Sequence, residues 1–144
     1  MKILFINGPN LNLLGTREPE VYGSMTLKEI ERDIAGVFRE QGFKLVCFQS
    51  NHEGQIIDFL QESVPSEYAI INPGAFTHTS IALRDAFASI AIPFIEVHIT
   101  NVFAREKFRH HSYLSPIAHG CIVGCGTEGY RLAAELIVQR LKRN

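Results

Sequence analysis

Short apolar runs alternate with stretches of helical periodicity along this chain. The runs at 3–7 (ILFIN), 44–50 (KLVCFQS), 68–72 (YAIIN), 94–99 (FIEVHI) and 117–124 (IAHGCIVG) read as strands. Three of them are nearly continuous in apolar residues, the pattern of strands covered on both faces by helices. Between the first two, Thr26-Leu27-Lys28-Glu29 has the form of a capping box, in which the Thr hydroxyl and the Glu carboxylate each satisfy the other residue's backbone amide. Leu27, Ile30, Ile34, Val37 and Phe38 follow on one face of a 3.6-residue period, and Gly42 is the natural stop. Further helices are expected at 54–62, 80–89 and 127–142, the last amphipathic through Leu132, Leu136, Ile137 and Leu141.

Five β–α units in succession predict an α/β fold with a parallel sheet and helices on both faces. Right-handed crossovers leave few topologies, of which the flavodoxin-like order 2-1-3-4-5 is preferred. The 144 residues suit a single domain spanning 1–144, large enough to bury a core without disulfides. Charge changes the picture only by exclusion. With 14 Lys+Arg against 15 Asp+Glu the net charge is −1, which does not suit a nucleic-acid or membrane partner. Three cysteines (Cys47, Cys121, Cys125) and no signal-like start predict free thiols and a cytoplasmic location.

In such a sheet ligands bind beyond the carboxyl ends of the strands. After the first strand comes a long segment, 8–25, carrying Asn10, Asn12, Arg17, Glu18, Glu20 and Tyr22. Glycines at 15 and 23 could hinge it as a lid; the alternative is a solvated polar loop. After the third strand, Asn72-Pro73-Gly74 marks a turn and His78 stands just ahead of a helix, where an anion would be favoured. In the fourth strand, alternation puts Glu96 and His98 on one face and Val97 and Ile99 on the other. A lone histidine there would read as core. A glutamate two residues earlier can fix its tautomer and raise its basicity, which favours catalysis. Arg105, Lys107, Arg109, His110 and His111 then form a basic cluster, either for an anionic substrate or as a solvated or intersubunit face.

Two patterns are decoys. Gly124, Gly126 and Gly129 spell G-x-G-x-x-G, but only 15 residues follow, too few for the strand and acidic residue of a dinucleotide site. Close helix–strand packing explains them better. Cys121 and Cys125, with His119 beside them, do not have zinc spacing, and the two cysteines read as buried small hydrophobes. Neither a metal nor another cofactor is expected.

FINGPNLNLLGTREPEVYG, INPGAFTHTSIALRDA and EVHITNVFAREKFRHHS together resemble the type II 3-dehydroquinate dehydratases. The resemblance covers nearly the whole chain, with the three blocks in the family's order and spacing. It implies a flavodoxin-like fold and reversible anti elimination of water from 3-dehydroquinate, giving 3-dehydroshikimate in the shikimate route or in quinate breakdown. Matched by motif, Tyr22 is the general base, His98 the general acid, and Arg17 the group that activates the tyrosine. Asn10 matches the residue holding a water against the enolate oxygen. Asn72, His78, Asp85 and Arg109 match substrate-binding positions, and Ile99 and Thr100 match the pair that takes the carboxylate. The family further implies a dodecamer of four trimers, with Asp85 serving a neighbouring subunit. Thr100 stands where Ser is usual, and Phe103 where many members have His.

The chemistry is coherent with these residues. A phenol, with an ordinary pKa of about 10, is a poor base until a nearby guanidinium favours its ionised form. None of Lys2, Lys28, Lys44, Lys107 and Lys142 ends an apolar strand, so an imine route is disfavoured. Two readings from other classes compete: a nucleotide- or phosphate-binding module, and a structural shell protein. The first wants a Gly/Ser/Thr cradle in place of Asn, Arg and Tyr, and the second leaves Glu96 and His98 unexplained.

Overall fold

The computed structural model describes residues 1–16 and 18–144, the side chains of Val21 and Tyr22 excepted. Its sheet comprises β1 (Lys2–Asn7), β2 (Lys44–Gln49), β3 (Tyr68–Asn72), β4 (Phe94–His98) and β5 (Gly120–Val123). All neighbours pair in parallel, in the order β2-β1-β3-β4-β5. A one-turn helix α1 (Pro19–Tyr22) with α2 (Leu27–Arg39), then α3 (Glu53–Glu62) and α4 (Ile81–Ile90), make the first three crossovers; 3-10 turns join β4 to β5, and α5 (Glu128–Lys142) follows β5. This is the flavodoxin-like arrangement expected from the alternation of patterns.

Both halves of the capping box form: Thr26 Oγ1 accepts from Glu29 N at 3.2 Å, and Glu29 Oε2 accepts from Thr26 N at 3.1 Å. Ser80 caps α4 by accepting from Leu83 N at 2.9 Å. The three central strands β1, β3 and β4 are buried along nearly their whole length, and each face of the sheet has its own core. On one face Phe5, Ile70, Ile95 and Val97 pack with Ile30, Ile34 and Phe38 of α2 and with Tyr130, Ala134 and Ile137 of α5. On the other, Leu4, Ile6, Ile71 and Phe94 meet Ile56 and Leu60 of α3 and Leu83 and Phe87 of α4. Full burial of side chains this size contributes about 1.5–3 kcal/mol each.

Three expectations need correction. The fifth strand begins at Gly120 rather than at 117, because Ser115–Ile117 forms a 3-10 turn that uses the Ile117 amide internally, donating to Leu114 O. Leu132 is exposed; the buried stripe of α5 runs through Tyr130, Ala133, Ala134, Ile137 and Val138, with small alanines letting the helix sit close to the sheet. Cys121 and Cys125 are exposed rather than buried, the first because β5 is an edge strand. Gly129 does pack as expected: a Cβ there would lie 3.4 Å from both Ile122 and Val97. Among the described residues no helix is long and apolar enough to cross a membrane.

Candidate active site

The carboxyl ends of β1, β3 and β4 converge on a cavity of about 150 Å³. That is well below the roughly 300–1,000 Å³ of drug-sized pockets, and it suits a single small ring more than a nucleotide or flavin. Backbone packing builds it. Gly8 follows β1 directly under the turn after β3, where a Cβ would stand 2.4 Å from the Pro73 carbonyl oxygen. Only glycine lets the two turns abut, and this brings Asn10 beside Asn72. Asn10 sits at φ 70°, a left-handed conformation that Asn tolerates better than most residues, and its N–H donates to Asn51 Oδ1 at 3.0 Å.

Asn10, Asn72, His78, His98, Ile99, Thr100 and Arg109 all line this cavity, and Arg105 joins them. Glu96 lies directly beneath His98. Asp85 is exposed on α4 and does not line the cavity of its own chain. Arg17 and the side chain of Tyr22 lie outside the described residues.

The alternation of β4 works as its sequence suggests, with Ile95, Val97 and Ile99 in the α2/α5 core and Glu96 and His98 on the opposite face. Glu96 is fully buried, and its carboxylate is saturated with donors. Oε1 accepts from His98 Nε2 at 2.9 Å, from Ser112 Oγ at 2.8 Å and from the Thr77 hydroxyl. Oε2 accepts from the Ser115 hydroxyl and from Cys121 Sγ at 3.6 Å. The amides of Leu114 and Ser115 both donate to Ser112 Oγ, which aims the serine proton at Glu96. Burial alone would push this carboxyl up. The hydrogen bond and charge of His98, then the Ser115 and Thr77 hydroxyls, outweigh it and bring the value from 4.5 down to about 2. Glu96 is therefore a fixed anion, and His98 Nε2 must carry a proton toward it. Proton exchange with a ligand is left to His98 Nδ1.

His78 has the opposite tautomer. Its Nδ1 lies 2.7 Å from the His111 carbonyl oxygen, which only accepts, so Nδ1–H donates and Nε2 keeps its lone pair while the ring is neutral. Burial holds its pKa below the ordinary value, with the charges of His98 and Arg109 acting in the same direction. The two rings lie nearly parallel, 6.4 Å apart. Arg109 Nε donates to Glu106 Oε2 at 2.6 Å, and Arg105 Nη1 reaches Thr100 Oγ1 at 3.4 Å. The two guanidinium groups give the rim the positive charge that an acid substrate needs.

Beneath the cavity floor, Asn72 Nδ2 donates to Tyr130 Oη at 2.8 Å, and Tyr130 donates to Asn7 Oδ1 at 2.7 Å. Sequence reading missed this pair and the Thr77, Ser112 and Ser115 hydroxyls. Thr77 and the two serines are short residues in irregular segments, and nothing in their spacing signals a shared partner. Arg105 was visible in the basic cluster without a role of its own. Among the described residues no group of three or more His, Cys, Asp or Glu is placed to hold a metal ion.

Comparisons with known proteins place the chain in a family. Residues 1–138 match the profile of the family described as Dehydroquinase class II. The chain is 60% identical over 140 residues to "Catabolic 3-dehydroquinase 2" of Neosartorya fischeri, covering 96% of this chain and 93% of that one. It is 58% identical over 139 residues to a "3-dehydroquinate dehydratase" of Prochlorococcus marinus, covering 96% and 95%. The crystal structure of a type II dehydroquinase from Butyrivibrio crossotus superposes with a TM-score of 0.91 at 48% identity, over 96% of this chain and 97% of that one.

Proposed function

This chain belongs to the class II dehydroquinase family and is a hydro-lyase; on that premise we propose that it removes water from 3-dehydroquinate by anti elimination through an enolate. His98 is the general acid, Tyr22 the general base and Arg17 the activator of Tyr22. The observation that carries this reading is the buried Glu96 anion on His98 Nε2, which presents Nδ1 at a small cavity with a cationic rim.

The difficult step is breaking a C–H bond next to a ketone. The ketone itself delocalises the charge, so a positioned base and donors to the enolate oxygen suffice. The tyrosinate takes the proton, and Asn10 at the cavity wall holds a water against the developing oxyanion. The hydroxyl β to the ketone then leaves, protonated by the His98 imidazolium, whose positive charge Glu96 stabilises. Groups of this kind contribute about 10²–10⁴-fold each. Asn72 and neutral His78 bind substrate hydroxyls, Arg109 supports the charged end, and the carboxylate lies on Ile99 and Thr100. None of the lysines lines the cavity, which favours the enolate over an imine.

The exposed position of Asp85 supports a site shared between copies of the chain, within a trimer and a dodecamer of trimers. The chain works as a single cytoplasmic domain, in the shikimate route or in quinate breakdown. The test adds 3-dehydroquinate to wild type, Tyr22→Phe and His98→Gln and follows ultraviolet absorbance as the conjugated enone forms. Wild type alone should produce it rapidly. Substantial turnover by Tyr22→Phe removes Tyr22 as the base, and no enone from folded wild type removes the reaction.

A further inference from the structure

We infer that Tyr130 is a positioning residue for substrate binding, acting through Asn72; the inference rests on the assignment of Asn72 as a substrate contact. Tyr130 lies on α5, far along the chain from the site, and is fully buried with its ring edge-on to Phe5 at 5.1 Å. Packing explains the ring. It does not explain a hydroxyl placed where phenylalanine would fill the same space.

The hydroxyl closes a one-way chain of hydrogen bonds. The chain starts from the Gly74 amide, which can only donate. Gly74 N lies 3.1 Å from the Asn72 side chain, so the atom facing it must be the carbonyl oxygen Oδ1. The amide group of Asn72 is thereby turned so that Nδ2 faces Tyr130 Oη, which accepts at 2.8 Å. The Tyr130 proton must then go elsewhere, and it goes to Asn7 Oδ1 at 2.7 Å. Each link fixes the next, and the direction is set by backbone.

Two consequences follow. Asn72 is held from both ends, its oxygen on Gly74 and one Nδ2 proton on Tyr130. Its second Nδ2 proton is the group left for the cavity that Asn72 lines. Asn72 therefore meets substrate as a hydrogen-bond donor, and a flipped amide would present an acceptor instead. At the far end, Asn7 Nδ2 is buried with no hydrogen-bond partner among the described residues. An unpartnered buried donor is destabilising, which a residue selected for packing alone would avoid. A Leu at position 7 would remove that orphan, and would also remove the acceptor that directs the Tyr130 proton. The network thus favours a defined amide orientation at the site over local stability.

The experiment is a double-mutant cycle on the full-length enzyme with 3-dehydroquinate, using Tyr130→Phe, Asn72→Ala and the pair. Tyr130→Phe should raise KM about tenfold with kcat within about threefold of wild type. In the Asn72→Ala background the same change should have less than a twofold effect. Asn7→Leu is the second variant, read in the same way if Tyr130→Phe does not fold, and it should reproduce the rise in KM. An unchanged KM in folded Tyr130→Phe overturns the inference, as does an equal effect with and without Asn72. A loss of thermal stability with unchanged KM would show a packing role only and also overturns it. Wild type without activity would instead overturn the assigned reaction, so the two failures are distinct.

Discussion

Replacing Glu96 with Gln removes one charge from the site while keeping its shape. The amide can place its oxygen where Oε1 now accepts from His98, Ser112 and Thr77, and its NH₂ where Oε2 faces the Ser115 hydroxyl. Ser115 can rotate to accept, so the network survives and His98 keeps its tautomer. What is lost is the attraction between the carboxylate and the imidazolium, 2.9 Å apart. At an effective dielectric of about 20 this is worth roughly 4–6 kcal/mol before relaxation. Even half of that is about two powers of ten in the strength of the pair. The expected result is a fall of about 10²-fold in kcat near neutral pH. KM should change little. Steady-state kinetics, with circular dichroism to confirm folding, read both effects. A folded Glu96→Gln enzyme with kcat within threefold of wild type would refute the role given to the pair.

Acid stability gives a separate reading of the same carboxylate. Its folded value of about 2 lies below the ordinary 4.5, so its stabilising contribution is full above the unfolded value and is lost as pH falls toward 2. About 3 kcal/mol should disappear over that window in wild type and not in Glu96→Gln, as followed by urea unfolding at several pH values. Gly8→Ala places a Cβ against the Pro73 carbonyl and should destabilise by about 1–3 kcal/mol, measured by denaturant melts. Thr26→Ala removes one side of the capping box and should lower stability by about 1 kcal/mol, or Tm by about 2–4 °C in a thermal scan. Asp85→Ala should raise KM without changing the fold of the isolated chain; unchanged affinity counts against a shared site.

Much of this fold is legible in the chain because its strongest signals are physical and local. The buried strands β1 and β3 are nearly continuous in apolar residues since both faces are covered, β4 is broken only by Glu96 and His98, and the capping box marks the start of α2. The misreadings have local reasons too. In α5 the leucines attract notice, yet the close approach to the sheet is made by Ala133 and Ala134, and Leu132 turns outward. The run before β5 looks continuous, but Pro116 and the internal use of the Ile117 amide make it a turn. Within the site, Glu96 and His98 declare themselves through period two in an apolar strand. The hydroxyls that hold Glu96 come from Thr77, Ser112 and Ser115, on segments whose approach depends on tertiary packing. Asn7, Asn72 and Tyr130 likewise meet across 123 residues of chain, and no window of sequence contains that relation.

The central claim is an anti elimination that begins with proton removal beside the ketone. It is tested most directly with 3-dehydroquinate carrying deuterium at the C2 position anti to the leaving hydroxyl. The 3-dehydroshikimate formed by wild type, examined by mass spectrometry, should be free of label, and the rate should be undiminished by borohydride. Product that keeps the deuterium, or an enzyme inactivated by borohydride in the presence of substrate, would contradict the enolate route through Tyr22 and His98.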